Sequence, residues 1–306
     1  MTNKIYDSIL DTIGNTPLVR LKSLETDDRA DILVKIESRN PGGSVKDRPA
    51  YQMIVDAEEK GRLKEGDIIV EPTSGNMGIA LALIGAAKGY KVVLVMPSSM
   101  SIERRKLMAA YGAELVLIDE GGMKGAVAKA QELVEEKGYF MPSQFSNEAN
   151  VTSHYKTTGP EIFQGTDGKV DAFVAGVGTA GTLVGVSSYL KDQGIALKAV
   201  AVEPDASPLL SQGNAAPHAI QGIGANFVPD NFKAEVVDEI KTVSKEEAYE
   251  YVHHLAQKEG ILAGISSGGN LATAVKIADE LGKGKVVVTV LPDTGERYLS
   301  TDLFGE

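Results

Sequence analysis

Short, β-branched apolar runs alternate along this chain with longer stretches in which apolar residues return at helical spacing. The runs at 32–37, 68–71, 91–96, 114–118, 171–175, 199–203 and 285–291 predict strands. Several of them are almost wholly apolar, the pattern of strands buried on both faces of a parallel sheet. Helices are predicted over 50–59, 77–88, 102–111, 125–137, 181–190, 245–258 and 271–281. Alternation of this kind reads as α/β architecture with doubly wound sheets. At 306 residues the chain is long for a single core and suits two lobes. The expected division is a smaller lobe over 46–150 and a larger one built from 1–45 and 151–306. The loop Pro142–Glu148 is the expected crossing point. A cleft between two α/β lobes is a usual place for a cofactor.

Composition narrows the chemistry. The net charge of -11 argues against a nucleic-acid surface, which needs clustered Lys and Arg, while leaving room for a local basic pocket. The absence of cysteine excludes disulfides, thiolate nucleophiles and Cys-based metal sites. His154, His218, His253 and His254 show no metal-ligand spacing, so no metal is expected. No apolar run has signal-peptide or membrane-spanning length, which makes a cytoplasmic location and no membrane contact the expectation.

Four Gly/Ser/Thr-rich segments punctuate the strand–helix junctions: 40–48, 71–78, 176–182 and 264–269. Such loops put free backbone N–H groups at helix N-termini, where they attract anions. Any one of them alone reads equally as a turn and a cap. Gly176, Gly178 and Gly181 satisfy G-x-G-x-x-G after a strand, and Glu203 ends the next strand, which together give a dinucleotide fingerprint. Against a nicotinamide reading, Thr179 and Thr182 add hydroxyl donors that suit a single terminal phosphate. Lys46 stands at the start of a predicted helix, behind Gly42, Gly43 and Ser44. The helix dipole disfavours a cation there and favours the neutral amine that Schiff-base chemistry needs.

With Lys46 the motifs become specific. The segment from Lys35 through Asn40-Pro41-Gly42-Gly43-Ser44-Val45-Lys46-Asp47-Arg48 resembles the lysine motif of the fold type II pyridoxal-phosphate enzymes, and within them the cysteine synthase (O-acetylserine sulfhydrylase) family. The segments 13–19, 73–78, 144–147, 157–162, 222–225 and 291–301 resemble that family in the same order, over almost the whole chain. The resemblance implies a tryptophan synthase β-like fold with pyridoxal 5′-phosphate in the cleft between two doubly wound α/β lobes. The smaller, mobile lobe would hold the substrate carboxylate and the larger lobe the cofactor phosphate. It further implies β-replacement of the acetate of O-acetyl-L-serine by sulfide through an aminoacrylate. Lys46 would be the Schiff-base lysine and the general base and acid. Asn76 would bond the ring hydroxyl; Gly178, Thr179, Ala180 and Thr182 would cradle the phosphate; Ser266 would face the pyridine nitrogen. Thr73, Ser74, Asn76, Met77 and Gln144 would surround the substrate carboxylate, with Gly224 near the mouth. A homodimer and the C-terminal peptide of serine acetyltransferase are the partners it implies.

The chain departs from the family pattern in places. Met77 replaces a usual threonine, which predicts weaker carboxylate binding or altered substrate preference. Ala180 replaces a usual glycine, tolerable if φ is negative there. Asn226 also stands where glycine is common. Tyr155, after His154, resembles cystathionine β-synthase as much as cysteine synthase, so a larger thiol such as homocysteine is the alternative nucleophile. A weakened homologue acting mainly by binding serine acetyltransferase is the other alternative.

Overall fold

The computed structural model describes residues 4–73, 75–98 and 101–305. The chain forms two compact units, one made of Met1–Ile13 and Asn40–Asn150 and the other of Gly14–Arg39 and Val151–Glu306. In the second unit the chain opens with β1 (Leu18–Arg20), which pairs antiparallel with β2 (Asp31–Ile36). Lys35 of β2 is 2% exposed; its ammonium donates to the Thr16 carbonyl (2.5 Å) and to the Glu161 carboxylate (2.7 Å). A buried cation needs such partners, because leaving it alone away from water costs several kcal/mol.

The first unit then runs α1 (Asp47–Glu59), β3 (Ile68–Pro72), α2 (Asn76–Lys88), β4 (Lys91–Pro97), α3 (Ile102–Ala110), β5 (Glu114–Ile118) and α4 (Gly122–Lys137). The three strands form a parallel sheet in the order β3-β4-β5. A short parallel bridge joins Phe140 to Ile69. Side chains of successive strand residues point to opposite faces, and β4 shows it. Val92, Leu94 and Met96 join the core that α1 and α2 cover, whereas Val93 and Val95 join the core that α4 covers with Ala126, Ala130 and Leu133. The sheet is therefore wound on both sides.

The second unit resumes with α5 (Ala149–Ser153, whose first two residues belong to the first unit), a π-helical turn (His154–Thr158) and α6 (Gly159–Gly165). It continues through β6 (Ala172–Gly176), α7 (Gly181–Asp192), β7 (Lys198–Pro204), α8 (Leu209–Gln212), β8 (Glu239–Val243), α9 (Lys245–Glu259), α10 (Ile265–Leu281) and β9 (Val286–Leu291). Its six strands lie in the order β1-β2-β9-β6-β7-β8. Every pair except β1–β2 is parallel. One face carries Val34, Val174, Val202 and Val287 against Leu255, Leu271 and Ile277 of α9 and α10. The other carries Leu33, Phe173 and Val288 against Ile162 of α6 and Leu183 and Leu190 of α7. Among the described residues no helix is long and apolar enough to cross a membrane.

Two strands, β1 and β8, and the helical stretch 149–165 were not expected from the sequence pattern. The helix expected at 271–281 begins instead at Ile265, so the Ser266–Gly269 segment is its first turn rather than a loop.

Candidate active site

The first unit holds the lysine. Gly43 adopts φ 80, a backbone conformation that glycine takes without steric cost, and donates to the Asn40 carbonyl at 2.8 Å. Asn40 Nδ2 donates to the Ser44 carbonyl at 3.1 Å, and the Lys46 N–H donates to Ser44 Oγ at 3.2 Å. These bonds deliver Lys46 to the N-cap position of α1. Burial of the amine lowers its pKa from 10.5 to about 8. The expectation of a neutral-leaning amine therefore stands on desolvation, which disfavours the charged form of a lysine.

Between β3 and α2 lies the segment proposed to hold a carboxylate. Thr73 is 3% exposed, and its Oγ1 accepts the Gly75 N–H at 3.3 Å. Ser74 lies outside the described residues. Gly75 is the N-cap of α2 and Asn76 its first residue, so this helix, 13 residues long, opens its N-terminal turn on the segment. A Cβ on Gly78 would stand 2.7 Å from Thr73 Cγ2, so only glycine lets the helix approach so closely. Met77 is 2% exposed and packs in the apolar cluster of α1 and α2 with Met53, Ile54 and Met108. Its side chain is part of that core. Gln144, 7% exposed, belongs to the same unit. Its N–H donates to Glu71 at 3.1 Å, and its carbonyl accepts Asn150 Nδ2 at 2.8 Å.

The second unit holds the phosphate-type loop. The Gly176 N–H donates to Asn270 Oδ1 at 2.8 Å, and Asn270 Nδ2 donates to the Val290 carbonyl at 2.8 Å, which ties the end of β6 to α10 and β9. A Cβ on Gly178 would lie 2.5 Å from the Gly222 carbonyl oxygen, and one on Gly222 would lie 3.5 Å from Ser266 Oγ. The loop, Gly222 and Ser266 are thus brought together, and at Gly178 only a residue without a side chain lets the backbone come so close. Thr179 is 5% exposed. Thr182, in the first turn of α7, hydrogen-bonds His154 Nε2 at 3.2 Å; His154 Nδ1 in turn bonds Thr158 Oγ1 at 2.8 Å. Ala180 is the N-cap of α7 with φ 66. This corrects the expectation of a negative φ: the alanine sits in the left-handed region that disfavours a Cβ by roughly 1–2 kcal/mol. Its methyl group is 3% exposed within an apolar cluster, and that burial offsets part of the cost.

Gly224 adopts φ 65, donates to the Val177 carbonyl at 2.9 Å, and its own carbonyl bonds His218 Nε2 at 2.7 Å. Asn226 adopts φ 63, and its Oδ1 accepts the Ser207 hydroxyl at 2.8 Å. Asparagine is the side chain that best replaces glycine in that conformation. Tyr155 donates its hydroxyl to Asp192 at 2.8 Å and packs edge-on against Tyr189. Glu203 is 2% exposed and accepts the N–H groups of Leu210 and Ser211 (2.7 and 3.0 Å) and the Ser211 hydroxyl. It caps α8 and has no role left in holding a ribose, which removes the second half of the dinucleotide fingerprint.

Sequence reasoning missed Glu71, Asn150, His154 and Asn270, which hold the candidates in place. Their signal in the sequence is weak, because a buried polar residue betrays itself only once its partners are known.

In the second unit, a glycine loop packed too closely for a Cβ at Gly178 lies at the start of α7, with the neutral Ser266 hydroxyl near Gly222; in the first unit, an amine is tuned toward neutrality by burial. Each is a feature that a pyridoxal-phosphate enzyme needs. The fold and these residues define a pyridoxal-phosphate enzyme of fold type II. The family model described as "Pyridoxal-phosphate dependent enzyme" matches residues 9–293, and the chain belongs to that family. It is 55% identical over 306 residues to a cysteine synthase of Staphylococcus aureus (strain Mu50 / ATCC 700699), covering 99% of each chain. The crystal structure of O-ureido-L-serine synthase superposes with a TM-score of 0.95 at 48% identity, over 98% of this chain and 96% of that one. A cysteine synthase from Entamoeba histolytica superposes with a TM-score of 0.95 at 43% identity, over 99% and 92%. Pyridoxal 5′-phosphate is the cofactor.

Proposed function

We propose that this protein is a cysteine synthase: it replaces the acetate of O-acetyl-L-serine with sulfide to give L-cysteine. The observation that carries the reading is the buried Lys46 amine, lowered to about 8 at a helix N-cap, in a chain so similar to a cysteine synthase.

When bound, pyridoxal phosphate supplies an electron sink for the bond pair left on the substrate α-carbon. The remaining work belongs to the chain. Gly178, Thr179, Ala180 and Thr182 hold the phosphate with backbone N–H groups and hydroxyls at the start of α7. Ser266 would face the ring nitrogen with a neutral hydroxyl, a weaker proton partner than a carboxylate, which would suit elimination. Asn76 bonds the ring hydroxyl. Thr73, Ser74, Asn76 and Gln144 bind the substrate carboxylate, with Met77 taking part through its backbone N–H. Gly224 stands near the mouth. Lys46 Nζ holds the cofactor, then takes the proton from the α-carbon. The Cβ–O bond breaks as acetate leaves, sulfide forms the Cβ–S bond, and Lys46 returns the proton to the α-carbon. A pKa near 8 suits both directions of that transfer at neutral pH.

Carboxylate recognition falls to the smaller lobe, 46–150, and phosphate recognition to the larger. The homocysteine alternative rests on Asn226 and Tyr155; Tyr155 is engaged with Asp192 and Tyr189, and Asn226 with Ser207, and neither contact favours it over sulfide. Cytoplasmic location, homodimerisation and capture of a serine acetyltransferase C-terminal peptide belong to the same reading. The last two are checked by sedimentation and by competition of the peptide with O-acetylserine.

The test is direct. Purified, cofactor-loaded protein is titrated with O-acetylserine, and the absorbance is expected to shift to longer wavelength. Sulfide is then expected to restore the original spectrum while cysteine appears. Absence of cysteine from a fully loaded, folded protein overturns the proposal.

A further inference from the structure

Glu71 is the last residue but one of β3, two positions before Thr73. It is 1% exposed. Its Oε2 accepts the Ser143 N–H at 3.0 Å and its Oε1 the Gln144 N–H at 3.1 Å. The reason lies in the backbone beside it. Along the edge of β3, Val70 donates to the Phe140 carbonyl and Phe140 donates to the Ile68 carbonyl, both at 2.8 Å. Pro142 then interrupts the ladder, since proline has no N–H, and Ser143 turns left-handed at φ 60. The next two N–H groups are left without a strand to bond, and the Glu71 carboxylate takes both.

A carboxylate in such a place is expensive. Burial pushes its pKa up to about 7, while the two N–H bonds act in the opposite direction and favour the ionised form. An isosteric apolar residue would avoid the desolvation cost but strand two buried donors, at about 1–3 kcal/mol each. The geometry is therefore built around the ionised side chain.

We infer that Glu71 is a positioning residue: by clamping the Ser143 and Gln144 N–H groups it fixes the turn that presents the Gln144 side chain to the carboxylate of the amino-acid substrate. Asn150 completes the clamp from the other side through the Gln144 carbonyl. The same glutamate leads directly into the 73–78 segment, so a single side chain couples two segments 72 residues apart in sequence that share one task. This inference rests on the carboxylate-binding role proposed above for Gln144.

The experiment compares Glu71→Gln, Gln144→Ala and the double variant in the cofactor-loaded enzyme. Glutamine keeps the shape and one acceptor oxygen, but its amide opposes the second N–H. The KM for O-acetylserine is expected to rise about tenfold in Glu71→Gln, with the KM for sulfide and the cofactor affinity unchanged. The double variant is expected to be no worse than Gln144→Ala alone, because both changes remove the same interaction. If the two effects add, or if Glu71→Gln leaves the KM for O-acetylserine where it was, Glu71 does not act through Gln144. If Gln144→Ala itself leaves that KM unchanged, the carboxylate assignment fails and the inference falls with it. Should Glu71→Gln not fold, amide exchange in the unmodified holoenzyme still decides. Ser143 and Gln144 are expected to be strongly protected, and exchange at the rate of open loop amides overturns the clamp.

Discussion

The Asp47 carboxylate accepts the Gly42 N–H at 2.5 Å, closing the loop that carries Lys46 with its own neighbour in sequence. Asp47 is wholly buried, and a Cβ on Gly42 would fall inside contact distance of its carboxylate. The glycine before the lysine and the aspartate after it are thus one device. Replacing Gly42 by alanine forces the carboxylate away, loosens the turn and disturbs the amine that the turn presents.

Lys46 is expected to behave unlike the surface lysines. Its amine is lowered by burial to about 8, against 10.5 for an ordinary lysine. Labelling of the cofactor-free protein with a small amine-directed reagent, read residue by residue by mass spectrometry, should rise at Lys46 through about pH 8, since only the neutral amine reacts. Exposed lysines should follow about two pH units higher. The sign for stability follows from linkage. A cation whose folded pKa is depressed binds fewer protons folded than unfolded between about 8 and 10.5, so its contribution grows more favourable as pH rises through that window. Lys46→Ala is expected to lower cysteine formation by at least about a thousandfold while the circular dichroism spectrum stays native.

Met77→Thr is expected to act on stability rather than on substrate binding. The methionine fills a core position at 2% exposure, so threonine leaves a void and buries a hydroxyl. The expected cost is about 2–4 kcal/mol. A shift of the denaturant midpoint at constant m checks it. The O-acetylserine concentration for half-maximal spectral change is expected to stay within about twofold.

Asn226 gives a sharper contrast between two substitutions. Glycine adopts φ 63 freely and loses only the Ser207 bond, so Asn226→Gly is expected to change stability by less than about 1 kcal/mol. Alanine adopts that conformation at a cost and loses the bond as well, about 2 kcal/mol in all. Chemical denaturation of the two variants side by side separates them.

Nicotinamide dinucleotides are expected not to bind, despite the G-x-G-x-x-G pattern of Gly176, Gly178 and Gly181. Glu203, the acidic residue that would meet a ribose, is consumed by the N–H groups of Leu210 and Ser211. Calorimetric titration with NAD is expected to show no micromolar binding.

The alternation of β-branched runs and amphipathic stretches made the parallel strands legible, because burial on both faces leaves an almost continuous apolar signature. β8 escaped notice since it lies at the sheet edge: its Lys241 bonds Glu239 and Glu280 in solvent, and only Val243 is buried. β1 has three residues and one partner, too little for any periodicity. The stretch 149–165 hides its helicity behind Gly159-Pro160, a pair that reads as a break but here opens α6, where proline needs no N–H. At the site, the motifs around Lys46, Thr73 and Gly178 were legible because glycine and hydroxyl residues cluster for a reason. The direction of the Met77 side chain and the sign of φ at Ala180 were not, since both depend on packing partners far away in sequence.

β9 lies between β2 and β6 at the centre of the larger sheet, yet it is the last strand to be made. During synthesis the first unit, drawn mainly from residues 40–150, has all its strands and helices available while the larger sheet still lacks its middle. Domains fold as units, N-terminal first as the chain emerges, so here the segment carrying Lys46 matures first. The second unit waits, with β2 unpaired on one edge, until β9 is made. A chain cut short after Asn150 but before Val286 would therefore release one finished half and one open sheet, a ready substrate for chaperones and proteases.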